Sequence, residues 1–164
     1  MKGINAGARL LLRFFTICLL VGWMGVIFLF SDQPAEESGR TSGGAAQFIC
    51  RTVQRVCHTD WTEEELLANA ECIDYPVRKL AHMTEYGILG TFTFLAVIAW
   101  PISGKKLYGI PLAFSFVYAC TDEVHQYFVE GRACRFTDVL WDTAGAILAL
   151  VLVGFIYRKV RKNR

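Results

Sequence analysis

Read for its apolar and polar positions, the chain alternates between long hydrophobic runs and short charged connections. Leu10 to Phe30 carries a single charge, Arg13, near its start. A helical crossing of a membrane takes about 20 apolar residues, so this run predicts a first span. It ends in Phe28-Leu29-Phe30, where a signal-peptide cleavage site would want small residues, and so it is expected to stay attached. Three further runs, from about Tyr86, Leu107 and Thr143, are shorter. They reach full length only if the neighbouring polar residues continue the helices, which predicts spans at about 82–102, 107–127 and 138–157. The expected fold is thus all-α, an integral membrane four-helix bundle forming a single domain over residues 1–164.

Residues 31–76 are then an outer loop. Ser38 to Gly44 is rich in Ser and Gly and predicts a flexible connection. Ala45 to Cys57 spaces Phe48, Ile49, Val53 and Val56 as one face of a short amphipathic helix. Thr62 and Glu65 fit a capping box for a second short helix, and Pro76 suits the first turn of the next one.

Composition agrees with a membrane setting, at 54% hydrophobic and 20% charged residues and a mean hydropathy of +0.35. Orientation follows from the Lys and Arg, which short loops retain on the cytoplasmic side. With the N-terminus inside, Lys2, Arg9, Arg13, Lys105, Lys106 and the basic tail Arg158 to Arg164 fall on the cytoplasmic side, and all 15 Asp and Glu fall outside. Both termini are therefore expected in the cytoplasm of a multi-pass protein of the cell membrane. A net charge of +2 and the lack of a basic stripe with interleaved aromatics argue against nucleic acid as a partner. Cys18 and Cys120 fall in spans as small apolar groups. Cys50, Cys57, Cys72 and Cys134 fall outside, where a pair such as Cys57 with Cys72 would be permitted.

Candidate chemistry gathers at the outer ends of the later spans. Lys79, His82 and Tyr86 recur at helical spacing, with Glu85 three residues after His82. Asp122, Glu123, His125 and Gln126 form a second group, and Arg132, Asp138 and Asp142 a third. Charges at membrane depth are costly, so they turn inward and pair, and each is a functional hypothesis. His82, Glu85, Asp122, Glu123 and His125 are the candidate catalytic residues. Lys79, Tyr86, Gln126, Arg132, Asp138 and Asp142 are the candidate substrate-binding residues.

Three readings stay open. His82-x-x-Glu85 and Asp122-x-x-His125 would bring four ligands to a divalent metal from facing helices, although no zinc-protease motif is present. Either histidine would otherwise serve as a general base oriented by its carboxylate, with Arg132 holding a phosphate or carboxylate. In the third, the polar groups only close the bundle: Asp138 and Asp142 favour a helix N-terminus, and Gly145 and Ala149 form a small-xxx-small packing pair.

Arg78 to Gly90, Asp122 to Arg132 and Asp138 to Ala146, taken in order with the Phe-Ser-Asp-Gln-Pro that closes the first run, resemble the VanZ-like family of bacterial membrane proteins. The segment from Gly39 to Ile73 matches no part of that pattern. The family's motif residues fall on Lys79, His82, Tyr86, Glu123, Gln126, Gly131, Arg132, Asp138, Asp142 and Gly145. Glu130 departs from it, standing where Pro is common before Gly-Arg. The resemblance implies low-level resistance to teicoplanin-type glycopeptides. Membrane lipid, and a lipid-linked cell-wall precursor bound or modified at the outer leaflet, are the expected partners.

Overall fold

The computed structural model describes residues 5–163, so the basic residues Lys2 and Arg164 lie outside the described part. Five helices follow one another: α1 (Ala6–Ser31), α2 (Ala35–Cys57), α3 (Glu63–Ile98), α4 (Lys106–Gln126) and α5 (Phe136–Lys162). This corrects the four-span bundle. Two helices, α1 and α5, are long and apolar enough to cross a membrane. Helix α3 becomes apolar only at Tyr86 and ends at Ile98, short of the ~20 residues a crossing needs, and α4 carries Lys106, Asp122 and Glu123 within its length.

The segment expected as an outer loop, residues 31–76, is also more ordered than expected. Helix α2 is one element of 23 residues that runs straight through Gly39, Gly43 and Gly44. Glycine costs a helix about 1 kcal/mol relative to alanine, so local propensity opposes this outcome and tertiary packing overrides it. Ser42, Ala46 and Cys50 recur on one face; Ala46 and Cys50 bury against Leu66 and Ala70 of α3, with Trp61, Ile73 and Val77 around them, and Ser42 lies against Arg78. At Gly39 a side chain would meet the Arg78 guanidinium.

The second expected short helix is the beginning of α3. Thr62 and Glu65 form the capping box, with Glu65 N–H donating to Thr62 Oγ1 at 3.2 Å and Thr62 N–H to Glu65 Oε2 at 2.8 Å. Those bonds hold the Glu65 carboxyl below its usual pKa. The helix then continues through Pro76 rather than restarting there. An interior proline removes a hydrogen bond and crowds the preceding turn. Contacts on both sides offset that cost: Ile73 and Val77 pack under α2, and Arg78 donates to Asp74 at 3.2 Å and to Ser42 at 3.1 Å. At 1.5 Å per residue, α3 is about 54 Å long, well beyond a ~30 Å hydrocarbon core.

Below the α2–α3 hairpin, α3 packs on α1, α4 and α5. Ile27, Tyr86, Leu89, Ala119 and Val139 form one core, and Phe94, Val97, Leu107 and Leu150 another further along. The α3–α5 seam is close because it is built from small residues. A Cβ on Gly145 would fall inside the Met83 carbonyl, and one on Gly87 would lie 3.3 Å from the Gly145 oxygen and 3.4 Å from the Ala149 Cβ. Helix α1 is held partly by side-chain bonds to neighbouring backbone. Trp23 Nε1 donates to Glu85 O at 2.9 Å, and the Tyr118 hydroxyl to Met24 O at 2.8 Å. Arg13, the one charge in the first apolar run, donates from Nε to Ala99 O at 3.1 Å and lies 4.1 Å above the Trp100 ring. Its charge therefore sits at the carbonyl end of α3, where a cation is favoured.

Candidate functional site

The polar residues meet where α1 and α4 end and α5 begins, around residues 78–86 of α3. Lys79 Nζ and Asp138 Oδ1 are 2.7 Å apart, and Lys79 is 8% exposed. Deeper in, His82 Nδ1 lies 3.8 Å from Asp142 Oδ1 and 4.0 Å from Glu85 Oε2. Both separations are too long for a direct hydrogen bond. Asp142 is 1% exposed, and neither of its carboxyl oxygens has a hydrogen-bond partner within the protein. The Tyr86 hydroxyl is also buried, facing the Asp122 carboxyl without a well-aligned hydrogen bond. Unsatisfied buried polar atoms are rare and call for an explanation.

Other sequence-predicted residues have partners that fix the scaffold. Glu123 Oε2 accepts the Arg135 N–H at 2.7 Å, supplying an acceptor at the residue that caps α5. Arg132 donates from Nε to Gln33 O at 3.1 Å and from Nη2 to Phe30 O at 3.2 Å, so it covers the carbonyl end of α1. Burial, reinforced by the nearby Arg78 charge, lowers the Arg132 pKa. Gly131 sets up that contact. Its φ of +72° is a left-handed conformation that suits glycine, and a Cβ there would lie 3.0 Å from that of Ala35. Glu130 takes part through its backbone, its carbonyl accepting the Ala35 N–H at 3.1 Å. The turn that aims Arg132 thus forms with Glu at this position.

Asp122 and His125 do not come together as one pair. Gln126 Nε2 donates to Asp122 Oδ2 at 3.2 Å, whereas His125 Nε2 lies 3.2 Å from Asp32 Oδ1 with its ring 4.7 Å from that of Phe28. Among the described residues, no group of three or more His, Cys, Asp and Glu is placed to hold a metal ion, so the four-ligand set is not assembled. The same holds for the pairing of Cys57 with Cys72: all six cysteines are free.

Sequence reasoning missed Ser31 and Trp23, which α1 contributes to the cluster and its wall, and Asp32, which caps α1 and meets His125 at the rim. Asp32 and Ser31 stand in a Ser-Asp-Gln-Pro run that signals a turn, and nothing in their local pattern says which helix end that turn will face. Of the small residues that close the α3–α5 seam, Gly145 and Ala149 were legible as a spacing, whereas Gly87 and Gly90 were not.

The fold and site define a membrane-associated all-helical protein with a buried ionisable cluster at one end of its helices. The VanZ/LLP1 family model matches residues 15–157, and the chain belongs to that family. No curated protein matches it. No solved structure matches it either.

Proposed function

We propose that this VanZ-family protein resides in the cell envelope and that its polar cluster, on the outer side of the membrane, binds the headgroup of a lipid-linked or cell-wall precursor molecule. Through that binding it contributes to low-level resistance to teicoplanin-type glycopeptides. The observation that carries the reading is the set of buried, unpartnered polar atoms at Asp142 and Tyr86, behind the part-exposed His82 and Glu85. A group kept out of water without a partner costs free energy that a ligand recovers. The basic residues support the orientation. Arg9 and Arg13 stand at the start of α1 and Arg158 to Lys162 at the end of α5, a distribution that supports cytoplasmic termini and an outward-facing cluster, because basic residues are retained on the cytoplasmic side.

A second reading is a structural or interaction module without catalysis. It is favoured by Arg132 and Glu123, whose bonds to backbone groups of α1 and of the residue capping α5 serve the fold.

Wild type and His82→Gln, compared in a teicoplanin-susceptible host with thermal stability measured in parallel, separate the two. Lost protection at unchanged stability supports a working site. Protection and stability falling together supports the structural module. A wild type that gives no protection refutes the resistance role.

A further inference from the structure

The geometry points to a binding site for a primary ammonium group between His82, Glu85 and Asp142, with the Tyr86 hydroxyl at its floor. The inference rests on the cluster receiving a headgroup and names the chemistry that the headgroup presents.

The charges come first. Lys79 is committed to Asp138, Glu123 to the Arg135 backbone, and His125 faces Asp32 rather than the interior. Arg132 spends donors on two carbonyls at the end of α1. What remains inside is acidic: Glu85, Asp122 and Asp142, of which Asp122 is faced by the Gln126 amide and by the Ser31 and Tyr86 hydroxyls, while neither oxygen of Asp142 has a partner. An acid excess alone would not make a site. The second observation is the Asp142 carboxyl itself, 1% exposed with neither oxygen bonded, beside a fully buried Tyr86 hydroxyl that faces Asp122 without a well-aligned bond.

The spacing then selects the ligand. Separations of 3.8 and 4.0 Å between His82 Nδ1 and the two carboxylates leave each pair unbonded, yet one atom set to the side of either pair, at the apex of a triangle, reaches both of its members at about 2.8 Å. An ammonium nitrogen carries several donors on one atom and a full charge, and bonds to carboxylates are then of the strong, charge-assisted kind. No metal-holding group exists here among the described residues. The site also has a direction. The side chains of His82 and Glu85 are 21% and 19% exposed and that of Asp142 is 1% exposed, so an amine enters past the first two and ends on the third.

The test uses the full chain in phosphatidylcholine nanodiscs doped with phosphatidylethanolamine or phosphatidylglycerol, with retained lipid counted by native mass spectrometry. Phosphatidylcholine is the control, because its methylated nitrogen has no N–H to donate. Wild type is expected to retain phosphatidylethanolamine over phosphatidylcholine by about tenfold, the size of one charge-assisted bond. Asp142→Asn is expected to abolish that preference, and Tyr86→Phe, which deletes one hydroxyl, to reduce it in a chain of unchanged stability. Free ethanolamine that displaces the lipid would support recognition through the ammonium and identify a soluble amine as a competent source.

Equal retention of the two lipids, or a preference that survives both variants, would overturn the inference. So would sodium or potassium displacing the lipid as well as ethanolamine does, since the site would then take an inorganic cation. Preference for phosphatidylglycerol that depends on Arg132 would overturn the ammonium assignment and leave the headgroup reading standing. No preference for any lipid, with Arg132→Ala behaving as wild type, would remove both.

Discussion

Replacing Gly145 by alanine adds one methyl group, and the structure gives it no room. The new Cβ would fall on the Met83 carbonyl, which is backbone inside α3 and cannot rotate away as a side-chain tip would. The two helices must separate, and the loss spreads along a seam that includes Gly87 against Gly145 and Gly90 against Ala146. Overpacking typically costs 1–3 kcal/mol, and a contact with rigid backbone belongs at the upper end, about 3 kcal/mol. Against a total stability of roughly 5–15 kcal/mol that is a large share. For a chain of this size it corresponds to a drop in Tm of about 6–12 °C. Gly87→Ala, whose Cβ would sit 3.3 Å from the Gly145 oxygen, should cost less. Gly25→Ala, with nothing within 4 Å, should be neutral or slightly stabilising. Thermal unfolding of the purified series in one detergent, followed by tryptophan fluorescence, checks the ranking. A Gly145→Ala protein that melts with wild type, or below which Gly25→Ala falls, would refute the claim that this seam is closed by absent side chains.

Lys79→Met should destabilise by about 3 kcal/mol, because it leaves Asp138 in the cluster without its 2.7 Å partner, while Lys79→Met with Asp138→Leu should recover much of the loss; a double-mutant cycle of unfolding free energies checks this. Arg13→Leu should cost about 1–2 kcal/mol despite raising the hydrophobicity of α1, since it removes the bond to Ala99 O and the stacking on Trp100, and thermal melts would read it. Glu65 has a lowered pKa, so its contribution is present above the unfolded value of a glutamate and fades as pH falls through the lower folded value. Helicity of the α3 N-terminus, followed by NMR shifts of Thr62 to Leu66, should therefore decline in acid, and Glu65→Gln should remove that pH dependence. Intact protein should show the same mobility with and without reductant and take up thiol label at Cys57 and Cys72, both exposed; a mobility shift on reduction would contradict the free thiols.

Much of the local structure was legible in the sequence. The first apolar run became α1, the Thr62-x-x-Glu65 box opened a helix as its bonding pattern demands, and Gly145 and Ala149 lie against α3. Family membership, too, was carried by motifs that a linear reading can find. Where the reading failed, a local signal met a stronger tertiary one. Glycines predicted a linker at 38–44, but α3 offers a surface on which small residues pack, and the helix persists. Pro76 predicted a helix start, but packing on both sides carried α3 through it. The spacing of His82, Glu85, Asp122 and His125 placed two acid–imidazole pairs on their helices without fixing which way each helix is turned.

The sequence by itself determined the apolar character of α1 and α5, the basic clusters that flank them near the two termini, the capping box, and which residues are ionisable near one end of the helices. Those properties depend on composition and on contacts within a few residues. Only the tertiary structure decided that Arg132 covers the end of α1, that Glu123 serves the residue capping α5, that His125 leaves the cluster for Asp32, and that Asp142 and Tyr86 are buried without partners. The physical reason is that a buried polar group's environment is set by the rotation of several helices relative to one another. That rotation is fixed by packing, chiefly by the glycine seam between α3 and α5, which joins positions far apart in the chain.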